Sequence, residues 1–239
     1  RAYLKTEIGR RRLLHTPPEL PGVRVLTVVG PLPFGGRYPL VHRANALAVA
    51  AQVKAALKLF PLRDPILFAQ HPKALALAPL LGLRTVVYDS LDDFGAFEGF
   101  HDPAVMDAYD REILRRADLV TASSDGLVQR ALKERSQAEL LPNGVELRYF
   151  PRDAAPQPIE KPAGAKVFGF VGAIYDWIDL ELVDALAAQR PQDLVVLVGP
   201  LRASLAGAVE RLQQRPNVRF VGPVPHTEVV RWVQAFDAC

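Results

Sequence analysis

Short runs that are apolar at nearly every position alternate with longer helical stretches, and one proline-rich interruption divides the series in two. Residues 23–29 (VRVLTVV), 65–69 (PILFA), 84–88 (RTVVY), 119–122 (LVTA) and 138–141 (AELL) read as strands. Between them, residues 41–60, 72–80, 103–116 and 124–135 read as helices. Strands without polar alternation suit a parallel sheet covered on both faces. The repeated strand–helix–strand order implies right-handed crossovers and a doubly wound α/β layer. Residues 151–165 (PRDAAPQPIEKPAGA) carry four prolines and no helical period, the signature of a semi-rigid linker. The alternation then restarts, with strands at 166–171 (KVFGFV), 194–198 (LVVLV) and 218–221 (VRFV) and helices at 179–189, 204–214 and 227–235. The closing FDAC reads as the start of another strand. The predicted organisation is an N-terminal α/β domain at 1–150, a linker at 151–165 and a second α/β domain at 166–239.

Composition removes several classes. The 239 residues are 49% hydrophobic and 23% charged, which excludes a disordered chain. The single cysteine, Cys239, excludes a disulfide framework and any multi-cysteine metal site. No apolar run approaches the roughly 18 to 20 residues of a membrane span, and no secretory signal opens the chain. A cytoplasmic location is the expectation. The net charge is +3, from 22 Arg and 7 Lys against 26 acids. The basic residues are scattered and form no dense stripe interleaved with aromatics, so nucleic acid is not an expected partner. Arg10, Arg11 and Arg12 could touch anionic lipid headgroups, a peripheral membrane contact, although a solvated surface is the simpler account. The chain begins on Arg1 rather than Met and closes on an unfinished strand signal, so a fragment of something longer is expected.

Ligands of open parallel sheets bind beyond the carboxyl ends of the strands. In the second layer those loops are residues 172–178 (GAIYDWI), 199–203 (GPLRA) and 222–226 (GPVPH), each beginning with glycine directly after a strand. Glycine there permits a sharp turn and close approach of backbone to a ligand. The helix that follows would aim free N–H groups at the same crevice, a setting suited to a diphosphate. Tight turning alone accounts for such loops equally well. In the first layer, His71 follows a strand and could act as acid, base or hydrogen-bond donor, or simply cap the next helix. The loop at 89–100 carries Asp89, Asp92, Asp93 and Glu98, which could hold a divalent cation or stay solvated. Its Phe94, Phe97 and Phe100 read as packing residues. Arg37, in the glycine-rich stretch 30–37 (GPLPFGGR), joins Asp92 and Asp93 as acceptor-side candidates, with a plain surface loop as the alternative. No phosphate-binding GxxxxGK[ST], HExxH or GxSxG is present.

Taken together, VYDSLDDFGAF at 87–97, ADLVTASS at 117–124, LPNGVELRYF at 141–150, FGFVGAIYDWIDL at 168–180, VVLVGP at 195–200 and PNVRFVGPVP at 216–225 resemble family 4-type glycosyltransferases in order and spacing. Within them the chain most resembles the teichuronic-acid-biosynthesis-like subgroup. The resemblance implies the GT-B fold, two Rossmann-like doubly wound parallel-sheet domains, here both incomplete, the first serving the acceptor and the second the donor. It implies transfer of a sugar from a nucleoside-diphosphate sugar, typically UDP-linked, to a hydroxyl on a glycan or lipid-linked acceptor, with retention. The setting it implies is surface-polysaccharide or glycolipid assembly, in the cytoplasm or at the inner face of the membrane. No metal and no cofactor beyond the sugar nucleotide are expected. His71 matches the histidine placed near the sugar. Gly172, with Ala173 and Tyr175, matches the loop on the leaving diphosphate. Gly222, Val224, Pro225 and His226 match the stretch that holds the nucleobase.

Family members commonly place an Arg and a Lys shortly after the donor-loop glycine. Here that stretch is Ala173-Ile174-Tyr175-Asp176-Trp177, with no cation, and Arg202 on the next loop is the candidate substitute. An E-x7-E segment would follow Cys239 and the first strand would precede Arg1, so the isolated fragment is expected to be inactive. Two alternatives stay open: a non-catalytic nucleotide-sugar-binding or assembly module, and a sugar-nucleotide epimerase on the same fold.

Overall fold

A computed structural model describes residues 14–18, 20–29, 32–35, 37–96 and 102–239. These fall into two compact units, Arg1–Asn143 and Gly144–Cys239. Arg10–Arg12, Gly30, Phe97, Glu98 and Phe100 lie outside the described residues.

The first unit begins with a small antiparallel pair, β1 (Leu14–His15) and β2 (Val25–Leu26), registered Leu14 to Leu26. Residues 23–29 therefore do not form the expected strand of the parallel sheet. The Gln52 side chain takes both backbone groups of Val29, its N–H at 2.9 Å and its C=O at 3.0 Å, so an amide replaces a neighbouring strand. Gln52 belongs to α1 (Pro39–Leu59), whose first residue is a proline, where its fixed φ and missing N–H cost nothing. Seven residues earlier on the same helix, Asn45 grips Leu32 in the same manner, at 2.6 and 2.8 Å.

The parallel sheet follows chain order: β3 (Leu67–Ala69), β4 (Val86–Ser90), β5 (Leu119–Ala122) and β6 (Glu139–Leu140). The helix expected at 72–80 is a 3-10 turn, Pro72–Ala76, running into α2 (Leu77–Leu81). It ends on Gly82, whose φ of 70° suits a residue without a side chain. The helix α3 (Pro103–Arg116) is capped by Asp102, which accepts from the N–H groups of Ala104 and Val105. Ser124 caps α4 (Asp125–Leu132). Tyr88, Ile113, Leu114, Val120 and Ala131 form the buried centre of this unit.

In the second unit, β7 (Val167–Val171), β8 (Leu194–Val198) and β9 (Val218–Gly222) are parallel and adjacent in that order. All five residues of β8 are buried, as its uninterrupted apolar run requires. Helices α5 (Leu180–Gln189), α6 (Ala206–Leu212) and α7 (Val229–Ala235) make the crossovers. After α7 the chain returns to the free edge of β7, where Ala238 forms a parallel bridge with Phe168 and accepts from the Gly169 N–H at 2.8 Å. The strand order thus reverses beside β7, as doubly wound topology demands. The proline-rich segment lies along α7: Gln157 N–H donates to Arg231 C=O at 2.8 Å, and the Gln234 amide reaches the carbonyls of Pro151 and Arg152. Its Ile159 packs on the β7–β8 core.

Candidate functional site

The three glycine turns of the second unit stand in a row. Gly172 N–H donates to Val198 C=O, and Gly199 N–H donates to Gly222 C=O, both at 2.9 Å. Gly199 has φ 146° and Gly222 φ 84°, conformations that L side chains rarely adopt. A Cβ on Gly199 would overlap the Gly172 carbonyl, so backbone fills the space and the edge presents main chain. Past the glycines the first two loops stay paired: Ile174 bridges Leu201, with Ile174 N–H to Pro200 C=O at 2.9 Å and Arg202 N–H to Ile174 C=O at 3.1 Å. This edge abuts the reversal of strand order, where open α/β sheets bind ligands.

The side chains above this edge differ from the sequence expectation in charge. Arg202 forms an ion pair with Asp176 of the neighbouring loop and lies 5.9 Å from the Tyr175 ring centre. The expected cation is present, but a carboxylate from the first glycine loop compensates it. The Tyr175 and Trp177 rings lie 5.0 Å apart, tilted by 39°, and Trp177 is exposed. The helix that follows is less available than expected, because Asp179 occupies the N–H groups of Glu181 and Leu182 at 3.0 and 2.9 Å. Its carboxylate already answers the positive helix end. Ala173 is half-buried beside Gly172. Beyond Gly222, Val224 packs into the core, whereas Pro225 and His226 open a 3-10 turn and are exposed. The His226 ring meets Tyr149 edge-on at 5.1 Å and Phe150 at 6.2 Å, which joins the PNGV-to-Phe segment to the third loop.

In the first unit His71 sits at the carboxyl end of β3 and precedes the 3-10 turn. Its Nδ1 accepts from Lys73 N–H at 3.2 Å, and its ring lies 4.7 Å from that of Phe94. The capping role and the site position coexist. Asp89 is buried and accepts from Thr121 Oγ1 at 2.6 Å and Gln70 Nε2 at 3.1 Å. Asp93 accepts from Gly95 N–H and pairs with Arg130 at 3.3 Å, while Asp92 is exposed. Both line a cleft of about 540 Å³ with Ser124, Arg130 and Lys133. Among the described residues no three His, Cys, Asp or Glu side chains converge as a metal site would require. Arg37 is exposed, lies 5.7 Å from the Tyr38 ring and is not among the residues that line this cleft.

A second cleft, of about 470 Å³, adjoins His71 and is lined by Val28, His42, Asn45, Val49 and Lys73. His42 and Lys73 also line a smaller cavity of about 160 Å³ with Tyr109, Glu112 and Arg116. Burial lowers the Lys73 pKa from its ordinary value. Burial first, and then the Lys73 charge, lowers that of His42. Sequence reading missed His42, Asn45, Lys73 and Tyr109. His42 and Asn45 lie on α1, Lys73 on the 3-10 turn and Tyr109 on α3, and these elements meet only through packing; Lys73, two residues after His71, was the one local signal.

Beneath the Asp92–Asp93 loop, Tyr88 donates to Asp110 at 2.7 Å and Arg130 donates to the other oxygen at 2.8 Å. Burial, and then Asp110, pushes the Tyr88 phenol far above its ordinary value. Burial alone would lower the Arg130 pKa, but hydrogen bonding and charge from Asp110, with Asp93 and Asp107, leave it raised.

No sequence-family profile matches the chain. It is 27% identical over 205 residues to TuaH of Bacillus subtilis (strain 168), itself a provisionally assigned teichuronic acid biosynthesis glycosyltransferase, covering 75% of this chain and 51% of that protein. Anabaena HepE, solved in complex with UDP and glucose, is similar with a TM-score of 0.57 at 19% identity, over 78% of this chain and 55% of that one. WaaG, a glycosyltransferase involved in lipopolysaccharide biosynthesis, is similar with a TM-score of 0.52 at 17% identity, over 82% and 57%. The chain thus spans about half the length of the relatives it matches. Across its described residues it has the α/β fold of the GT-B glycosyltransferases, with two Rossmann-like parallel-sheet units.

Proposed function

We propose that this chain is the core of a glycosyltransferase that moves a sugar from a UDP-linked nucleoside-diphosphate donor to a hydroxyl acceptor, with retention, in surface-polysaccharide or glycolipid assembly. The observation that carries this reading is the row of Gly172, Gly199 and Gly222 beside the reversal of strand order. The bond from the sugar C1 to the diphosphate breaks with its electron pair on the departing UDP oxygen, a bond from C1 to the acceptor oxygen forms, and the acceptor's proton passes to the departing UDP. Gly172, Ala173, Tyr175 and Arg202 serve the diphosphate, and Gly222, Val224, Pro225 and His226 the nucleobase. His71 serves the reacting sugar, and Asp92, Asp93 and Arg37 the acceptor, without a metal or a cofactor.

A cytoplasmic location against the membrane face fits the surface of the first unit. Residues 20–63 contain no Asp or Glu and six Arg or Lys. Leu40, Leu47 and Leu59 of α1 are exposed among them. Basic and apolar groups on one helix suit an anionic lipid surface. Among the described residues no helix is long and apolar enough to cross a membrane.

Calorimetric titration with UDP and UDP-glucose tests the donor site; absence of binding to the protein, extended to its full length, would overturn the reading. With turnover followed as UDP release, His71→Ala is expected to lower kcat about a hundredfold. Unchanged turnover removes His71 from the mechanism. The Arg202–Asp176 pair favours one competing reading, a binding module without catalysis, which predicts UDP-sugar binding with no release over any acceptor.

A further inference from the structure

We infer that Asp176 competes with the donor's diphosphate for Arg202, and so sets how tightly the glycine row holds a nucleotide. The inference rests on the glycosyltransferase reading above and adds to it a residue that opposes binding. Arg202 is the one Lys or Arg of the three glycine loops, residues 172–178, 199–203 and 222–226, and Asp176 is their one acid. The two meet as an ion pair, Arg202 Nη1 donating to Asp176 Oδ2. The other positive feature of this edge, the start of α5, is already answered by Asp179, which accepts from the Glu181 and Leu182 N–H groups. A diphosphate arriving at the row therefore has one guanidinium to reach, and finds a carboxylate on it. Carboxylate and phosphate oxygens are the same kind of ligand to a guanidinium, acceptors that fit its fork of N–H groups.

The exchange requires only side chains to move. The backbone beneath both residues is tied, Ile174 N–H donating to Pro200 C=O at 2.9 Å and Arg202 N–H to Ile174 C=O at 3.1 Å. The Tyr175 ring, centred 5.9 Å from the Arg202 guanidinium carbon, is a second neighbour of the cation and does not compete for its N–H groups. The Arg202 and Asp176 side chains are 35% and 38% exposed, so water screens the pair and its hold is weak. A diphosphate brings more charge and more acceptor oxygens than one carboxylate. It displaces Asp176 at the cost of leaving that carboxylate unpaired beside it. Asp176 thus tempers the site rather than closing it: it orders Arg202 between turnovers, lowers the affinity for a nucleoside diphosphate and favours the departure of UDP.

The test is calorimetric titration of the protein, extended to its full length, with UDP, UMP and uridine at constant ionic strength. Asp176→Asn should tighten UDP about fivefold and UMP less, and leave uridine unchanged, because the competition acts on phosphate alone. Arg202→Met should weaken UDP about tenfold and leave uridine unchanged, which excludes misfolding as the cause. Glu181→Gln removes a nearby exposed carboxylate that does not hold Arg202, and should leave UDP unchanged. A gain in Glu181→Gln equal to that in Asp176→Asn would assign the effect to the general field and overturn the competition. UDP bound by wild type but no tighter by Asp176→Asn, or indifferent to Arg202→Met, would overturn this inference alone. Weaker UDP binding by Asp176→Asn would do the same, with Asp176 then orienting Arg202 toward the phosphate. UDP binding absent from wild type and from every variant would overturn the donor reading, and this inference with it.

Discussion

The carbonyl of Gly172 occupies the space where Gly199 would carry a side chain. Gly222, at the end of the same row, has open space at its Cβ position and only an unfavourable φ. Gly222→Ala is expected to cost about 1–2 kcal/mol. Gly199→Ala must also displace the first loop, and is expected to cost about 3 kcal/mol and to weaken UDP binding more than tenfold. Urea unfolding of the two variants checks this, and equal losses would contradict the close approach.

Gly169 is in the middle of β7, where glycine usually weakens a strand. A Cβ there would overlap the ring of Phe236, which packs over it as the chain returns to this edge. Gly169→Ala should destabilise by about 2 kcal/mol through overpacking. Combined with Phe236→Leu it should cost less than the sum of the two single changes, in a double-mutant cycle.

Asp237 fastens the return of the chain to β7. It accepts from Lys166 Nζ and from Val167 N–H, both at 2.9 Å, with Lys161 Nζ at 3.4 Å. The Lys166 hydrogen bond, and then that of Val167, holds its pKa down to about 2. The folded value lies below the unfolded value of about 3.9, so the unfolded chain binds more protons between the two. The contribution is complete above pH 4 and disappears as pH falls toward 2. Denaturation curves of wild type and Asp237→Asn should differ above pH 4 and converge near pH 2.

Asp110 is almost fully buried and depends on Tyr88 and Arg130. Arg130→Met leaves that carboxylate without its counter-charge, and a loss of about 3 kcal/mol is expected. Tyr88→Phe removes one neutral donor and should cost about 1–2 kcal/mol. Chemical denaturation separates the two, and a smaller effect of Arg130→Met would assign the stability to the phenol.

The strands of both sheets were legible because each is an apolar run bounded by turn residues, and the three glycine loops were legible because each opens where such a run stops. The antiparallel pairing of Val25–Leu26 was not, since Val29 finds its hydrogen bonds on Gln52, an amide more than twenty residues away. The state of Arg202 was equally hidden. Only the pairing of Ile174 with Leu201 brings Asp176 beside it, and nothing in the spacing of 26 residues encodes that meeting. His71 was legible as a residue after a strand, but the Lys73–Tyr109 cavity depends on how α1 and α3 pack on the turn that follows it.

Because Ile174 donates its N–H to Pro200 and accepts from that of Arg202 beyond the last regular strand residues, the first two glycine loops move and vary as one piece. Swapping segments between related domains to change donor preference would have to carry residues 172–177 and 199–202 together. A graft of either alone would bring a foreign partner to the Arg202–Asp176 contact and open the joint on which the glycine row depends.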